Sequence, residues 1–504
     1  MCDYLLKRPM LLTALCCCAV SVFSFYSKLS LIYIMLSLSV LIGILIYIQA
    51  DKRLIFISAL IFAMCLSCNA TSDKIERLSY YGNNAFKAEL TVISNDYKSD
   101  EYYISTAQVM KSETLPKGTR LTVFYEPMKL SEGVRISADI RVKKIDDVYS
   151  KKISYSEGIY LKGNLKNISI LSNREDFVLT AAFKIKEYIK TQLFGNLGYG
   201  EASTLCALIF GNRDYFTNEF YGCVKVAGVS HVMVVSGMHL SIIVTLLIRL
   251  LEKLFYNRFV KAFVIIFTVI FLCVICGFTK SILRAGITYI IMAIGIMLDR
   301  KGVSENSLGA AITIILIYSP YAIFSVALQL SALSTFGILA VALPIIDYIK
   351  NKGIIQSNTV LYILSSLLIS LSATLLTLPV LIKIFGYVST VSVLSNLLIS
   401  PAVTISLYTS IAALVIGGIF PFLNNVLYLP TGIITKYINC VIKFFGKLTF
   451  ATANVPEYLS YIAAFLIFLV LWGLLACKKR RNMLRLEGMR NKIIKEGGKR
   501  LKWQ

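Results

Sequence analysis

The two histidines of this 504-residue chain, His231 and His239, lie in one short apolar segment. Histidine is costly in hydrocarbon and its ring nitrogens need polar partners, so an intramembrane pair predicts a functional site. In a continuous helix the two rings would be separated by about 12 Å of rise, too far for both to bind one metal ion. Two histidines also cannot build a three-histidine zinc centre, and we predict no metal and no cofactor.

Ser236 and His239 are three residues apart and would share a helix face, which permits a hydrogen-bonded pair. One interpretation is a nucleophile with its base, as in a membrane hydrolase. Intramembrane serine proteases place glycine two positions before the serine, however, where this chain has Val234. Hydrogen bonds that join the segment to a neighbouring helix are the structural alternative. Gly237, between the two residues, predicts a helix break or a close packing contact.

The C-terminal half carries positive charge inside its apolar runs but no acidic charge there. Lys280 and Arg284 are four residues apart and share a helix face. The carboxylates between residues 229 and 477 all stand near the ends of apolar runs: Glu252, Asp299, Glu305, Asp347 and Glu457. Cation-coupled transporters place acidic groups at mid-membrane, so this pattern favours an anionic permeant. A permease or flippase for an anionic lipid or cell-wall precursor would need the same cationic cavity. The structural alternative for Lys280 is that its side chain extends to the membrane surface.

The composition is that of an integral membrane protein. Hydrophobic residues make up 57% and charged residues 16% of the chain, and the mean hydropathy is +0.71. These values exclude an ordinary soluble domain and predict several spans of about 20 apolar residues each. The tail after Cys477, residues 478–504, holds eleven Lys or Arg residues against two Glu. A basic run beside a span predicts a cytoplasmic end that lies on anionic lipid, with nucleic-acid contact as the alternative.

Residues 1–70 are predicted to form three transmembrane helices. The three apolar runs are Met10–Phe25, Leu29–Gln49 and Leu54–Cys68. Basic pairs precede the first run, at Lys7-Arg8, and the third, at Lys52-Arg53. Because positive charge stays on the cytoplasmic side, the third run should leave the membrane on the outer side.

Residues 71–175 are polar, carry charges of both signs and alternate apolar with polar positions. This period of two predicts five or six short strands, and about a hundred residues of such strands suit a small β-barrel of OB type. The predicted fold class is therefore a polytopic α-helical membrane protein with an inserted extracytoplasmic OB-like β-barrel domain. The barrel is only mildly cationic, so its composition does not by itself predict nucleic-acid binding.

The remaining chain divides into a surface segment and a membrane domain. Residues 176–228 begin with an amphipathic pattern over Phe177–Phe194, which predicts a helix on the membrane surface. Residues 229–477 contain seven to ten candidate spans, the first starting at Val229. Three prolines, Pro379, Pro401 and Pro421, are expected to break the later runs, and at least one segment should be broken or re-entrant.

Several short motifs in this membrane domain resemble, in order, those of one known family. They are Leu208-Ile-Phe-Gly211-Asn212-Arg213, Ala227-Gly-Val-Ser-His231, Val235-Ser236-Gly237-Met-His239-Leu, Arg284-Ala285, Gln329-Leu330-Ser331, Pro379 and Asn396-Leu-Leu-Ile-Ser-Pro401. Together they resemble the ComEC family of competence proteins, strongly over Leu208–Pro401 and weakly over the β-domain. Two departures are Asn212, where that family usually has Asp, and Ala327-Leu328, where it has Gly-Phe.

The resemblance implies a channel that passes single-stranded DNA across the cytoplasmic membrane during natural transformation. We expect the DNA path to be lined by His231, Ser236, Gly237, His239, Lys280, Arg284, Gln329, Ser331 and Asn396, with Gly211, Asn212 and Arg213 as a family motif. The resemblance also implies a DNA receptor and a cytosolic ATPase or helicase as partners. A partner would have to supply ATP-driven pulling, because the sequence contains no Gly-x-x-x-x-Gly-Lys-Ser/Thr loop.

Many full-length members of that family append a metallo-β-lactamase-like domain with a His-x-His-x-Asp-His cluster. Two histidines cannot supply this cluster, so we expect no nuclease activity and no enzymatic function in this chain. The nuclease would then be a separate protein, or the chain would be a short-form or degenerate homologue.

Overall fold

The structure is a computed structural model in which α-helices predominate and one small β-barrel is inserted. It describes residues 8–26, 52–82, 84–98, 102–126, 130, 133–172, 177–233, 237–254, 257–300, 302–467 and 469. Two predicted segments, the span Leu29–Gln49 and the basic tail 478–504, lie outside these residues. Within the described part, seven helical segments are long and apolar enough to cross a membrane. The chain is therefore a multi-pass membrane protein with an inserted barrel, as predicted.

The helices are numbered in chain order. They are α1 (Pro9–Tyr26), α2 (Lys52–Ser79), α3 (Val148–Ser156), α4 (Phe177–Asn196), α5 (Tyr199–Phe210), α6 (Asn218–Val226), α7 (Gly237–Leu254), α8 (Arg258–Ile275), α9 (Lys280–Met297), α10 (Ser304–Tyr318), α11 (Val326–Gly337), α12 (Leu343–Asn351), α13 (Asn358–Phe385), α14 (Ser392–Ile419), α15 (Asn424–Gly446) and α16 (Tyr458–Ile467). A five-residue π-helix, Ile338–Ala342, joins α11 to α12.

Five strands form a closed barrel in the order β1-β2-β3-β5-β4. They are β1 (Ala85–Lys98), β2 (Tyr103–Ser112), β3 (Arg120–Tyr125), β4 (Arg135–Lys144) and β5 (Leu161–Ser172). Every neighbouring pair is antiparallel except β3 and β5, which are parallel. Alternate side chains of each strand point inward, and the buried ones, such as Leu90 and Ile136, form the barrel core. This Greek-key order confirms the OB-like prediction.

The barrel begins later in the chain than we expected. The sequence placed the end of the third apolar run at Cys68 and the β-domain from residue 71, but helix α2 continues to Ser79. Polarity rises after Cys68 without any glycine or proline to end the helix. The last turn places Leu78 in the barrel core, so tertiary packing stabilises the extension.

A cluster of aromatic side chains joins the barrel to the membrane domain. Tyr155 of α3, which connects β4 and β5, lies 6.3 Å from Phe25 and 6.0 Å from Tyr321 between ring centroids. Phe25 also lies 4.7 Å from Phe324. Burial raises the pKa of Tyr155 above its usual value and that of Tyr160 to about 12, so both phenols remain neutral. We call this end of the helices the barrel side.

The membrane domain contains two helical hairpins near the barrel side. Helices α8 and α9 turn at Gly277, whose φ is +76°, and α10 turns into α11 through the 3₁₀ segment Pro320–Phe324. At the end opposite the barrel, Arg8 and Glu305 form an ion pair of 2.9 Å, which joins the starts of α1 and α10.

The expected effect of the prolines was partly wrong. Pro379 lies inside α13 and Pro401 inside α14, and both helices continue for 28 residues. Membrane helices tolerate proline because neighbouring helices and hydroxyl side chains satisfy the freed backbone groups. Pro421 does separate two helices, α14 and α15.

Candidate functional site

Five helices of the membrane domain contact each other in a closed ring. In order around the ring they are α7, α9, α11, α13 and α14, with α14 returning to α7. The Tyr408 hydroxyl of α14 donates to the carbonyl of Ile242 of α7, which closes the ring with a bond of 3.3 Å. Most of the residues predicted to line a path, including Arg284 and Asn396, lie on these five helices.

Arg284 of α9 is the most unusual side chain of the ring, because only 7% of it is exposed. Its Nε–H donates to the Ser331 hydroxyl at 2.9 Å, and that hydroxyl also accepts a bond of 3.0 Å from Ser281. Within the part of the chain that the structure describes, this is the guanidinium's one hydrogen bond, and no carboxylate pairs with it. The terminal nitrogens therefore retain donors for a further partner.

Gly237 gives the Arg284 guanidinium its space at the start of α7. A Cβ atom at Gly237 would lie 2.7 Å from Nη2 of Arg284 and 3.1 Å from Cβ of Ala285. The sequence left open whether Gly237 marks a helix break or a close packing contact. It marks both, because α7 begins at this residue and packs closely against α9. His239 follows on the same helix and is 2% exposed. Ser236 lies outside the described residues, so its pairing with His239 stays a prediction.

A compact turn replaces the helix that we expected to begin at Val229. Helix α6 ends at Val226, and residues 227–233 fold back before α7 starts. Gly228 has a φ of +73°, and a Cβ there would lie 2.6 Å from the Cβ of Ser392. The hydroxyl of Ser395 fixes the turn by donating to the Ala227 carbonyl at 2.7 Å. Glycine is required at position 228 both for this backbone conformation and for the close approach of α14.

The two histidines belong to different elements, with His231 in the turn and His239 on α7. The ring of His231 bonds to the backbone of Gly228 and interacts electrostatically with His239. His231 keeps exposed surface although its neighbours Val232 and Met233 are fully buried.

Three further predicted path residues occupy different positions around the ring. Asn396 of α14 is 7% exposed, and its Oδ1 has no hydrogen-bond partner among the described residues. Lys280 is the first residue of α9, at the barrel side, where the charges of Glu157 and Arg120 of the barrel domain act on it. Gln329 has a local contact, because its Nε2 donates to the Ile323 carbonyl at 2.7 Å and closes the preceding turn.

The motif at residues 211–213 lies outside the ring and shapes the end of α5. Gly211 ends this helix with a φ of +77°, and the Asn212 side chain accepts the backbone N–H of Asp214 at 2.8 Å. Arg213 stacks over the Tyr221 ring at 5.8 Å. An asparagine accepts this turn-forming bond as an aspartate would, so the departure at position 212 preserves the local structure.

Sequence reasoning missed several hydroxyl side chains of the site. Ser281 is three residues before Arg284 on one helix face, a spacing that could have revealed it. Ser395 and Ser389 bond to this region from a distant part of the chain, and no local sequence pattern predicts such contacts. Half-buried hydroxyls also continue along the contacting helices α11 and α13: Ser331, Ser334, Thr335, Ser365, Ser366 and Ser370.

These features define the chemistry that is available at the ring. A buried guanidinium with free terminal donors binds oxyanions, and carboxylate or phosphate groups match its planar geometry. The hydroxyl and amide groups around it are neutral, and they can exchange hydrogen bonds with a passing ligand or with water. Among the described residues, no group of His, Cys, Asp and Glu is arranged to hold a metal ion.

Comparison with known proteins places the chain in a family. The model of the competence protein family matches residues 208–480, more than half of the chain. The chain is also 22% identical to "ComE operon protein 3" of Bacillus subtilis (strain 168) over 250 residues, which is 50% of this chain and 31% of that relative. No solved structure matches the chain. The family match includes the turn at Gly228, the Arg284–Ser331 pair and Asn396, and the chain belongs to the competence protein family.

Proposed function

We propose that this protein conducts single-stranded DNA across the cytoplasmic membrane during DNA uptake. Membership of the competence protein family supports a role in DNA uptake, and a similar protein of Bacillus subtilis is named "ComE operon protein 3". The finer part of the proposal, passage of a single strand through the helix ring, depends on the chemistry of the ring residues.

The observation that carries the proposal is the buried Arg284, which has no acidic partner in the part of the chain that the structure describes. Arg284 lies one turn inside α9, and a charge buried in a membrane helix costs up to about 3 kcal/mol when nothing compensates it. One neutral bond to Ser331 offsets only part of this cost. A phosphate group would supply the missing charge and would accept two parallel hydrogen bonds from the terminal nitrogens. A buried cation at this position supports the proposal, because the phosphates of a moving polyanion would stabilise it.

The neutral groups of the ring are better suited to letting a permeant pass than to binding it tightly. A channel must bind its permeant strongly enough to admit it and weakly enough to release it, which requires several weak sites. Asn396, His239 and the serine and threonine hydroxyls of α11 and α13 can supply such sites around a single strong one at Arg284. We propose that partner proteins supply the DNA receptor and the driving ATPase, and that anionic lipid binds the tail.

Substitution of Arg284 tests the proposal. In a transformable host that lacks its own uptake channel, Arg284→Gln and His239→Ala should lower the entry of labelled DNA into a nuclease-protected compartment. Membrane levels of the protein and binding of DNA at the cell surface should not change. Lys383→Gln is a matched control, because Lys383 is an exposed cation at the end of α13 that stacks over Tyr461 at 5.6 Å.

Three outcomes would contradict the proposal. If His239→Ala fails to accumulate in the membrane while stably expressed Arg284→Gln takes up DNA normally, both residues have a structural role only. If an activated phosphonate reacts covalently at Ser236, the protein is a membrane hydrolase instead. Flux of a small anion or lipid in vesicles without DNA partners would indicate the permease or flippase.

A further inference from the structure

The motif at residues 211–213 supplies one of two cations that share a single aromatic ring. The Cζ atom of Arg213 lies 5.8 Å from the centroid of the Tyr221 ring, and Nζ of Lys225 lies 4.3 Å from the same centroid. The two positive charges are therefore within about 10 Å of each other, which is no more than the screening length at moderate salt. Each charge acts on the other, and both act on any ligand placed beside the ring.

Both sides of this pair are held by ordered backbone. The carbonyl of Arg213 accepts the N–H of Phe216 at 3.0 Å, which closes the loop between α5 and α6. The hydroxyl of Thr217 caps the start of α6 by accepting a backbone N–H of its first turn at 3.2 Å. Tyr221 and Lys225 are four residues apart on α6 and so share one face of this helix.

The carboxylates nearest in sequence do not neutralise the pair. They are Asp214 and Glu219, which are both exposed, and neither forms an ion pair with Arg213 or Lys225 within the part of the chain that the structure describes. Lys225 is exposed, and Arg213 is half-buried. An oxyanion between the two cations would relieve their mutual repulsion and would accept a charge-assisted hydrogen bond from each of them.

The pair lies on the barrel side of the membrane domain. The thiol of Cys276, which precedes the turn between α8 and α9, donates to the carbonyl of Ile209 at 3.6 Å, so the end of α5 lies beside that turn. Ser281 in the first turn of α9 bonds to α11 at 3.0 Å. The start of α11 meets the barrel domain, because Ser325 donates to Glu157 at 3.5 Å.

Two cations on this side depart from the usual distribution of charge. Basic residues beside membrane spans concentrate on the cytoplasmic side, and the barrel side is predicted to be the outer one. Helix α6 continues through the turn at Gly228 into α7, which begins against Arg284 at Gly237. The pair therefore stands on the segment that leads to the buried guanidinium of the ring.

We propose that Arg213, Tyr221 and Lys225 form a phosphate clamp that binds single-stranded DNA on the barrel side before the strand reaches Arg284. This inference rests on the proposed function and adds a binding site for the same substrate. The Tyr221 ring positions the two cations, and a phosphate between them accepts hydrogen bonds from both. A phospholipid headgroup offers similar chemistry, but a strand carries many phosphates and can occupy the clamp and Arg284 with one molecule.

Charge removal tests the clamp. The probe is a short fluorescent single-stranded oligonucleotide, and its binding to the full chain in nanodiscs of neutral lipid is measured by fluorescence anisotropy. Arg213→Gln and Lys225→Gln should each weaken binding about two- to fivefold, the size expected for one exposed charge contact. In each variant the slope of log affinity against log salt should become shallower by about 0.7, the amount for one phosphate of a single strand.

Substitution of the ring separates its positioning role from the charges. Tyr221→Phe keeps the ring face and should bind the oligonucleotide as the wild type does. Tyr221→Leu keeps the net charge but removes the ring, so it should bind about as weakly as Arg213→Gln. Wild-type affinity in Tyr221→Leu would overturn the clamp as a unit of three residues.

Lys383→Gln is the matched control for charge. It also removes a cation that lies over a tyrosine ring, at 5.6 Å from the centroid of Tyr461, but outside the clamp. Its oligonucleotide affinity should equal that of the wild type. A loss equal to that of Arg213→Gln would overturn the clamp, because any exposed cation would then contribute as much.

The clamp and the proposed function fail in different ways. Wild-type affinity in Arg213→Gln and Lys225→Gln, with weaker binding by Arg284→Gln, would overturn the clamp and leave the DNA path in place. If the two clamp variants bind the oligonucleotide normally but lose binding of a fluorescent short-chain phosphatidylglycerol, the pair holds a lipid headgroup and the clamp is likewise overturned. If Arg284→Gln binds and takes up DNA normally while the clamp variants bind weakly, the clamp stands and the path through Arg284 is wrong.

Discussion

At the scale of single residues, the site is organised around an arginine that lacks an acidic partner. Most charges in membrane helices pair with an opposite charge or extend to the surface. Arg284 does neither within the described residues, since its bond to Ser331 is neutral and 7% of the side chain is exposed. Its position depends on the glycine that faces it, because any side chain at position 237 would occupy the space of the guanidinium.

This dependence leads to a prediction for Gly237→Ala. The new Cβ would lie 2.7 Å from Nη2 of Arg284, so the guanidinium must move and its bond to Ser331 should be lost. The displaced guanidinium would lose its proposed contact with phosphate, and one such charge-assisted hydrogen bond contributes about 1.5–3 kcal/mol, so oligonucleotide binding should weaken roughly tenfold or more. The measurement is fluorescence anisotropy with the purified full chain. Normal oligonucleotide binding by Gly237→Ala would show that binding does not depend on this position of the Arg284 guanidinium.

Gly222→Ala is the control for that substitution. Gly222 lies inside α6, and a Cβ there meets nothing within 4 Å. Alanine has the higher helix propensity, so this variant should fold at least as well as the wild type and bind DNA normally. Weakened binding by both variants would indicate a general effect of added methyl groups.

At the scale of elements, the site depends on a turn that two distant parts of the chain build together. Residues 227–233 would otherwise continue as an apolar helix, and α14 prevents this by packing its first turn against Gly228. The Ser395 hydroxyl and the Ser389 hydroxyl bond to the carbonyls of Ala227 and Val226. These bonds satisfy backbone groups that the interrupted helix leaves open in an apolar environment.

We therefore predict that Ser395→Ala destabilises the turn selectively. It leaves the buried Ala227 carbonyl without its 2.7 Å bond, which should cost about 1–3 kcal/mol. Proteolysis or hydrogen exchange of residues 227–233 should accelerate, and DNA uptake should fall. Ser410→Ala is the control on the same helix, because the hydroxyl of Ser410 bonds only to the Leu407 carbonyl one turn away. Equal exchange rates in the two variants would contradict the anchoring role.

At the scale of the whole molecule, the barrel marks one side of the membrane domain. The ends of α1 and α2 and the starts of α9 and α11 meet the barrel, through Phe25, Leu78, Lys280 and Ser325. The Arg8–Glu305 ion pair joins helix starts at the opposite side. Helix α2 begins at that opposite side with Lys52 and Arg53, so the positive-inside rule predicts that this side faces the cytoplasm.

This arrangement predicts the labelling pattern of intact cells. Cysteine introduced at Thr114, an exposed barrel residue, should react with an impermeant maleimide in intact protoplasts. Cysteine introduced at Asn351, the exposed last residue of α12, should react only after lysis. Because Cys440 is exposed in the wild type, both variants should carry Cys440→Ser. The opposite pattern would show that the barrel is cytoplasmic and that the DNA path runs the other way.

The sequence pattern predicts the class of the molecule, its apolar spans and the barrel. These predictions follow from local patterns: apolar runs of span length and a period of two over residues 71–175. Arg284 could be singled out as a charge within an apolar run and Ser331 through the family resemblance, although their mutual bond could not be predicted.

Tertiary structure alone decided the features on which the proposals depend. The turn at Gly228, the continuation of helices through Pro379 and Pro401, and the pairing of Arg284 with Ser331 each involve partners far apart in sequence. The meeting of Glu157 with the helix ring arises in the same way. In an apolar environment every backbone and charged group needs a partner, and the chain can supply that partner from any element that the fold brings close.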